Sequence, residues 1–152
     1  IPDPSGTTEQ TRYQVAASTS FDGGEGIAYG DGMVFFATKG DNRIWCYNTT
    51  ANSLEIVYDD DNYEEPVLTG VDNITIVPSG EIYVAEDGGD MQLVALTKDG
   101  TPYPIAQVVG QESSEITGPA VMGNRLYFSS QRGTGPFVGT GGITYEITGD
   151  FG

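Results

Sequence analysis

From residue 21 onward, short apolar or alternating runs are separated by clusters of Gly, Asp, Asn and Pro. Alternation over four to eight residues, bounded by turn formers, predicts half-buried β-strands. A first set of strands is predicted at 25–29, 32–38, 42–48 and 53–58. A second follows at 70–77, 81–86, 90–97 and 103–109, and a third at 115–122, 125–130 and 141–148. Between the first two sets lies Asp59-Asp-Asp-Asn-Tyr-Glu-Glu-Pro66, whose like charges side by side argue against a strand. Helical periodicity is absent from every stretch of ten or more residues. Residues 1–10, rich in Pro, Thr, Ser and Gly, read as a loose terminus, and Arg12–Ala17 reads as a short strand.

The sets recur at roughly 45-residue intervals, the period of β-propeller blades built from antiparallel four-stranded sheets. Gly32-Met-Val-Phe-Phe36, Gly80-Glu-Ile-Tyr-Val84 and Asn124-Arg-Leu-Tyr-Phe128 each match the second strand of a blade, entered by a tight turn. The reading is an all-β chain of about three blades, with residues 1–20 as linker and 21–152 as the propeller domain. The strand at 12–17 is expected to complete the third set and join the ends of the chain. A sandwich of about eleven strands is the alternative for an all-β chain of this size. Three blades do not close a ring, so the arc is expected to be half of a propeller, completed by further sequence or by another copy.

Charge narrows the partners. Twenty-two acidic residues against six basic ones, with no histidine, give a formal charge of −16. Such a surface repels nucleic acid and anionic membranes and attracts divalent cations, with oxygen donors suiting calcium better than zinc. Cys46 is the single cysteine, so no disulfide forms within the chain, and its place in Arg43-Ile-Trp-Cys-Tyr47 reads as a buried strand position. A chain that opens on Ile1-Pro2-Asp3-Pro4 is expected to have lost sequence upstream.

Acids recur at the entry of each predicted inner strand: Glu25 in the first set, Asp72 in the second and Glu115 in the third. The hairpin that turns at Pro78-Ser79-Gly80 sets Asp72 beside Glu86 and Asp87. Inner strands line a propeller's channel, so these carboxylates are expected to converge on one axial spot and to call for a cation. Lys39 and Arg132 lie in loops and can each hold an anionic oxygen, or simply face water. Without a Walker loop, a Gly-x-Ser-x-Gly elbow or a histidine, a conventional serine or cysteine hydrolase is excluded, and metal-assisted hydrolysis stays open. Asn48-Thr-Thr50 and Asn73-Ile-Thr75 match the glycosylation sequon.

Several of these pieces, in the same order, resemble the PhoX-type alkaline phosphatases. They include Phe21-Asp-Gly-Gly-Glu-Gly26, Thr38-Lys-Gly-Asp-Asn-Arg-Ile-Trp45, Gly70-Val-Asp-Asn-Ile-Thr75 and Ala85-Glu-Asp-Gly-Gly89. Glu115-Ile-Thr-Gly-Pro119, Leu126-Tyr-Phe-Ser-Ser-Gln-Arg-Gly133 and Gly142-Ile-Thr-Tyr-Glu-Ile-Thr-Gly149 continue the run, which spans residues 21–151. The resemblance implies the C-terminal part of a secreted, six-bladed phosphomonoesterase holding iron and calcium. It makes Glu25, Asp72, Glu86 or Asp87, and Glu115 metal ligands, with phosphate monoesters as substrates. Members of that family are longer, and their iron-binding cysteine has no counterpart here, since Cys46 stands elsewhere. The alternative function is a noncatalytic module using the same half-propeller for homo-oligomer or filament assembly; a calcium-binding sandwich adhesin ranks third.

Overall fold

The computed structural model describes residues 1–134 and 141–151. Eleven antiparallel strands form three sheets, each a meander in which every strand pairs with its neighbour in sequence. The first blade contains β1 (Gly24–Gly30), β2 (Met33–Thr38), β3 (Arg43–Asn48) and β4 (Ser53–Asp59). The second contains β5 (Val71–Ile76), β6 (Ile82–Glu86), β7 (Gln92–Leu96) and β8 (Pro102–Gln107). The third has β9 (Ile116–Met122), β10 (Arg125–Ser130) and β11 (Ile143–Thr148). These are propeller blades forming an arc, with β1, β5 and β9 innermost, and the three do not close a ring. Among the described residues no helix is long and apolar enough to cross a membrane.

Turn chemistry places the boundaries. Asp31, Asn42 and Asn52 adopt positive φ at hairpin bends, a conformation that short polar side chains tolerate better than most. The Pro78-Ser79-Gly80 turn closes with Gly80 N–H donating to the Val77 carbonyl at 2.8 Å. The acidic loop folds into a single 3-10 turn at Asp60–Asn62, capped by the Asp59 carboxylate, which accepts from Asp61 N–H at 3.2 Å.

Two cores hold the blades together, and the second blade serves both. Ile82, Val84, Val94 and Leu96 face the first blade, packing with Ala37, Ile44 and Tyr58. Tyr83, Ala85, Leu93 and Ala95 face the third, packing with Ile116, Leu126 and Phe128. Burial on both faces explains why β6 and β7 read as continuous apolar runs rather than alternating ones. The Tyr58 hydroxyl donates to the Leu68 carbonyl at 2.7 Å, tying the end of the first blade to the entry of the second. The thiol of Cys46 is buried, as its strand context predicts.

One expectation fails. The segment 12–17 is not a strand and does not complete the third sheet, which holds three strands among the described residues. Thr11–Tyr13 is a 3-10 turn, and the terminus folds on itself through Gln14. The Gln14 side chain accepts from Asp3 N–H at 2.7 Å and donates to the Asp3 and Glu9 carbonyls at 2.8 and 2.7 Å. These local bonds offer the backbone an alternative to a sheet ladder.

Candidate functional site

The inner strands approach closely because one of them carries glycine where side chains would collide. A Cβ on Gly26 of β1 would meet the Asp72 carbonyl and lie 2.6 Å from Ile74 N of β5. At the entry of β5, Gly70 has φ 57, and its hypothetical Cβ would lie 2.9 Å from the Asp87 carbonyl. The backbone bond from Asp87 N–H to the Gly70 carbonyl, at 3.0 Å, then sets Asp72 and Asp87 side by side. An isolated antiparallel bridge pairs Asp87 with Glu115, bringing the third blade to the same point.

Four of the five acids expected to converge lie toward this end of the channel. Asp72 is buried, 6% exposed, while Glu25 stands exposed at the rim. Both line a cavity of about 420 Å³, together with Asn73 and Pro119. What gathers Asp72, Asp87 and Glu115 is a pair of basic side chains. Lys39, one residue beyond β2, bonds Asp87 and lies 3.7 Å from Asp72. Arg132, just beyond β10, lies 3.1 Å from Glu115 and 3.5 Å from Asp87. Asp87 is thus shared between a lysine of the first blade and an arginine of the third. The bond to Asp87, with the charges of Asp72 and Glu25 behind it, pushes the Lys39 ammonium above its ordinary pKa. Burial, then the charges of Asp87 and Asp72, push the Glu115 carboxyl up, while Arg132 and Lys39 pull it back.

Glu86 stands apart. Neighbouring residues on a strand point to opposite sides, so Glu86 and Asp87 do not share one face. The Glu86 side chain is fully buried, accepting from Thr69 N–H at 2.7 Å through one oxygen and from Gln92 N–H at 2.8 Å through the other. Loss of water outweighs these two bonds and pushes its carboxyl up to about 8. It braces the loops on either side of the hairpin rather than joining the channel cluster.

Asn73 has a part that sequence inspection, which saw only a sequon, did not assign. Its Oδ1 accepts from Gly118 N–H at 2.9 Å and from the Thr117 hydroxyl at 3.3 Å, linking β5 to β9. Its Nδ2 donates to Asp72 at 2.5 Å and fixes that carboxylate. Ser114 likewise supports Arg132, accepting from its backbone N–H at 2.9 Å and pairing with the Ser130 hydroxyl at 2.7 Å.

The donor chemistry of Glu25, Asp72, Asp87 and Glu115 suits a hard cation such as calcium. The arrangement does not. Lys39 and Arg132 occupy the positions between the carboxylates, and among the described residues no group of three or more acidic side chains can hold a metal ion. Cys46 lies between the first two blades, away from the cluster, and supplies no thiolate to it. As they stand, the residues form a partly neutralised lattice with a formal excess of two negative charges, four carboxylates against two bases.

No family model matches the chain, and no curated protein does. Among solved structures it is similar to a structural genomics protein of unknown function from Bacteroides thetaiotaomicron. The TM-score is 0.58 at 21% identity, over 76% of this chain. The chain spans 28% of that longer protein, and the likeness is one of fold.

Proposed function

We propose that the chain forms one wall of a propeller channel at whose mouth a phosphate monoester is bound, as part of a secreted phosphatase of the PhoX type that the resemblance implies. One observation carries the proposal: Asp87 is held between Lys39 and Arg132, side chains supplied by different blades at one end of the inner strands. A phosphoryl oxygen entering there takes over the Lys39 ammonium that Asp87 now holds and meets the charge of Arg132 beside it. Arginine and lysine both suit phosphate, the first by its fork of donors and the second as a point charge. Asp72 and Glu115 stay in place to orient the two bases, with Asn73 and Ser114 fixing the supporting groups. The site's excess negative charge opposes a dianion, so phosphate binding is expected to be weak until a cation offsets it.

Calorimetric titration with inorganic phosphate, with and without calcium, tests the binding step. Hydrolysis of p-nitrophenyl phosphate with calcium, with iron and with chelator tests the chemistry. Arg132→Ala is expected to abolish phosphate binding. No phosphate heat and no hydrolysis under any of these metal conditions would end the proposal.

A further inference from the structure

We infer that the cleft between the first and second blades, at the end of the strands away from the acid cluster, binds a small zwitterion with an apolar tail, a large apolar α-amino acid. A cavity of about 290 Å³ lies there, lined by residues between Gly30 and Lys98. The strand register explains why it is unfilled. Residues opposite one another on antiparallel strands share a face, so Ala37, Ile44 and Tyr58 form one buried row toward the second blade. The next row on that face reads Phe35, Cys46 and Glu55. A thiol is small and Glu55 is exposed, so this row leaves space in front of Ile76 and Ile82.

Close approaches between the two blades wall the cavity in. A Cβ on Gly30 would lie 3.1 Å from the Ile76 side chain on the channel side. On the outer side, a Cβ on Gly100, which has φ 82, would run into the Val57 carbonyl. Every lining residue belongs to the first or second blade or to their turns, so a blade added at either end of the arc leaves this cleft unchanged. The interior is apolar. Met33, Phe35, Val57, Ile76 and Ile82 line it with Cys46, whose pKa is pushed up by burial and by the Glu55 charge, keeping the thiol protonated. Among the described residues, buried side-chain atoms without a partner lie on Gln92 and Gln111, neither of them in this cavity, so nothing inside calls for a polar group.

The mouth carries both signs. Asp31 and Glu55 stand on the side of the first blade and Lys98 on that of the second. All three are exposed, and among the described residues none has an opposite charge within 4.0 Å. Lys98 is folded over the turn at Gly80, where a Cβ would come 2.9 Å from its Cε and 3.2 Å from its Nζ. A fatty acid would satisfy Lys98 but set its carboxylate beside two others, and an alkylamine would meet the acids against the push of Lys98. A zwitterion answers both, its carboxylate on Lys98 and its ammonium on Glu55 or Asp31. Ligand cavities run from roughly 300 to 1,000 Å³, and this one, at about 290 Å³, suits a single residue rather than a peptide.

Two measurements on the full chain test this: calorimetric titration with L-phenylalanine, L-leucine and L-methionine, and alkylation of Cys46, the single cysteine, by iodoacetamide. At least one amino acid is expected to bind with Kd of about 0.1–1 mM, because the charges at the mouth stay in contact with water. At saturation it is expected to slow alkylation at least ~5-fold. Phenylpropionate, which lacks the ammonium, and phenethylamine, which lacks the carboxylate, are expected to bind at least ~10-fold more weakly than phenylalanine. Lys98→Met is expected to weaken phenylalanine by a similar factor and to leave phenethylamine no weaker. Cys46→Leu fills the cavity and is expected to abolish binding with unchanged circular dichroism; if it disturbs the fold, Met33→Trp, nearer the mouth, blocks the same cleft. Three results overturn the inference: neither heat nor protection with any of the three amino acids, which leaves a void holding water only; analogues that bind as tightly as phenylalanine; or an affinity indifferent to Lys98→Met.

Discussion

Replacing Glu86 by glutamine separates two effects that its burial combines. The carboxyl is pushed up to about 8 from an ordinary value of 4.5, chiefly by loss of water. Between those limits the folded chain holds a proton that the unfolded chain releases. The stability this group contributes is therefore fully present below pH 4.5 and is lost as pH rises through 8. One proton corresponds to ~1.4 kcal/mol per pH unit, so the loss amounts to ~5 kcal/mol as an upper bound. Glutamine removes the titration and turns an N–H toward one of the two backbone donors, forfeiting a bond worth ~1–2 kcal/mol. Glu86→Gln is thus expected to be less stable than the parent at pH 5 and equal to or more stable than it at pH 9. Urea unfolding followed by fluorescence of Trp45, the single tryptophan, measures both curves. Other acids titrate alike in the two proteins and cancel in the difference. Parallel curves from pH 5 to 9 would refute the assignment of this slope to Glu86.

Three further predictions follow from the cluster. Lys39→Met frees Asp72 and Asp87, and calcium binding measured by calorimetry is expected to tighten at least ~10-fold; an unchanged affinity would mean that Lys39 does not block a cation. Arg132→Ala removes the charge that holds the Glu115 carboxyl down, so its titration, followed by carbon NMR, is expected to move further up. Gly26→Ala forces a methyl group into the β5 backbone and is expected to cost at least ~2 kcal/mol in urea unfolding. Gly24→Ala, with no heavy atom within 4 Å of the added carbon, is the matched control.

The strands were legible because turns announce themselves. Every predicted strand from 25–29 to 141–148 has an observed counterpart with ends differing by two residues at most. Blade repetition was legible for the same reason, through the glycine and asparagine turns before each second strand. The segment at 12–17 misled because alternation reports amphipathicity, not a partner, and Gln14 satisfies the terminus locally. The acids at strand entries were found by their equivalent positions. Their neutralisation was not, because Lys39 and Arg132 reach Asp87 from 48 and 45 residues away in sequence. Glu86 shows the sharper limit. Sequence treats adjacent carboxylates alike, whereas a strand sends one to the channel and buries the other.

Those long separations bear on how the molecule is assembled. Each blade is a meander whose strands pair with their neighbours in sequence, so a blade closes short loops and can organise early. The lattice of Lys39, Asp87, Arg132 and Glu115 joins three blades and gains nothing until all three are in place. Its bonds should therefore be absent from the rate-limiting barrier to folding and should act on the way out. Loss of Lys39 or Arg132 is expected to leave the refolding rate unchanged and to hasten unfolding. The charges at the channel mouth, whatever they bind, would then set the lifetime of the folded arc.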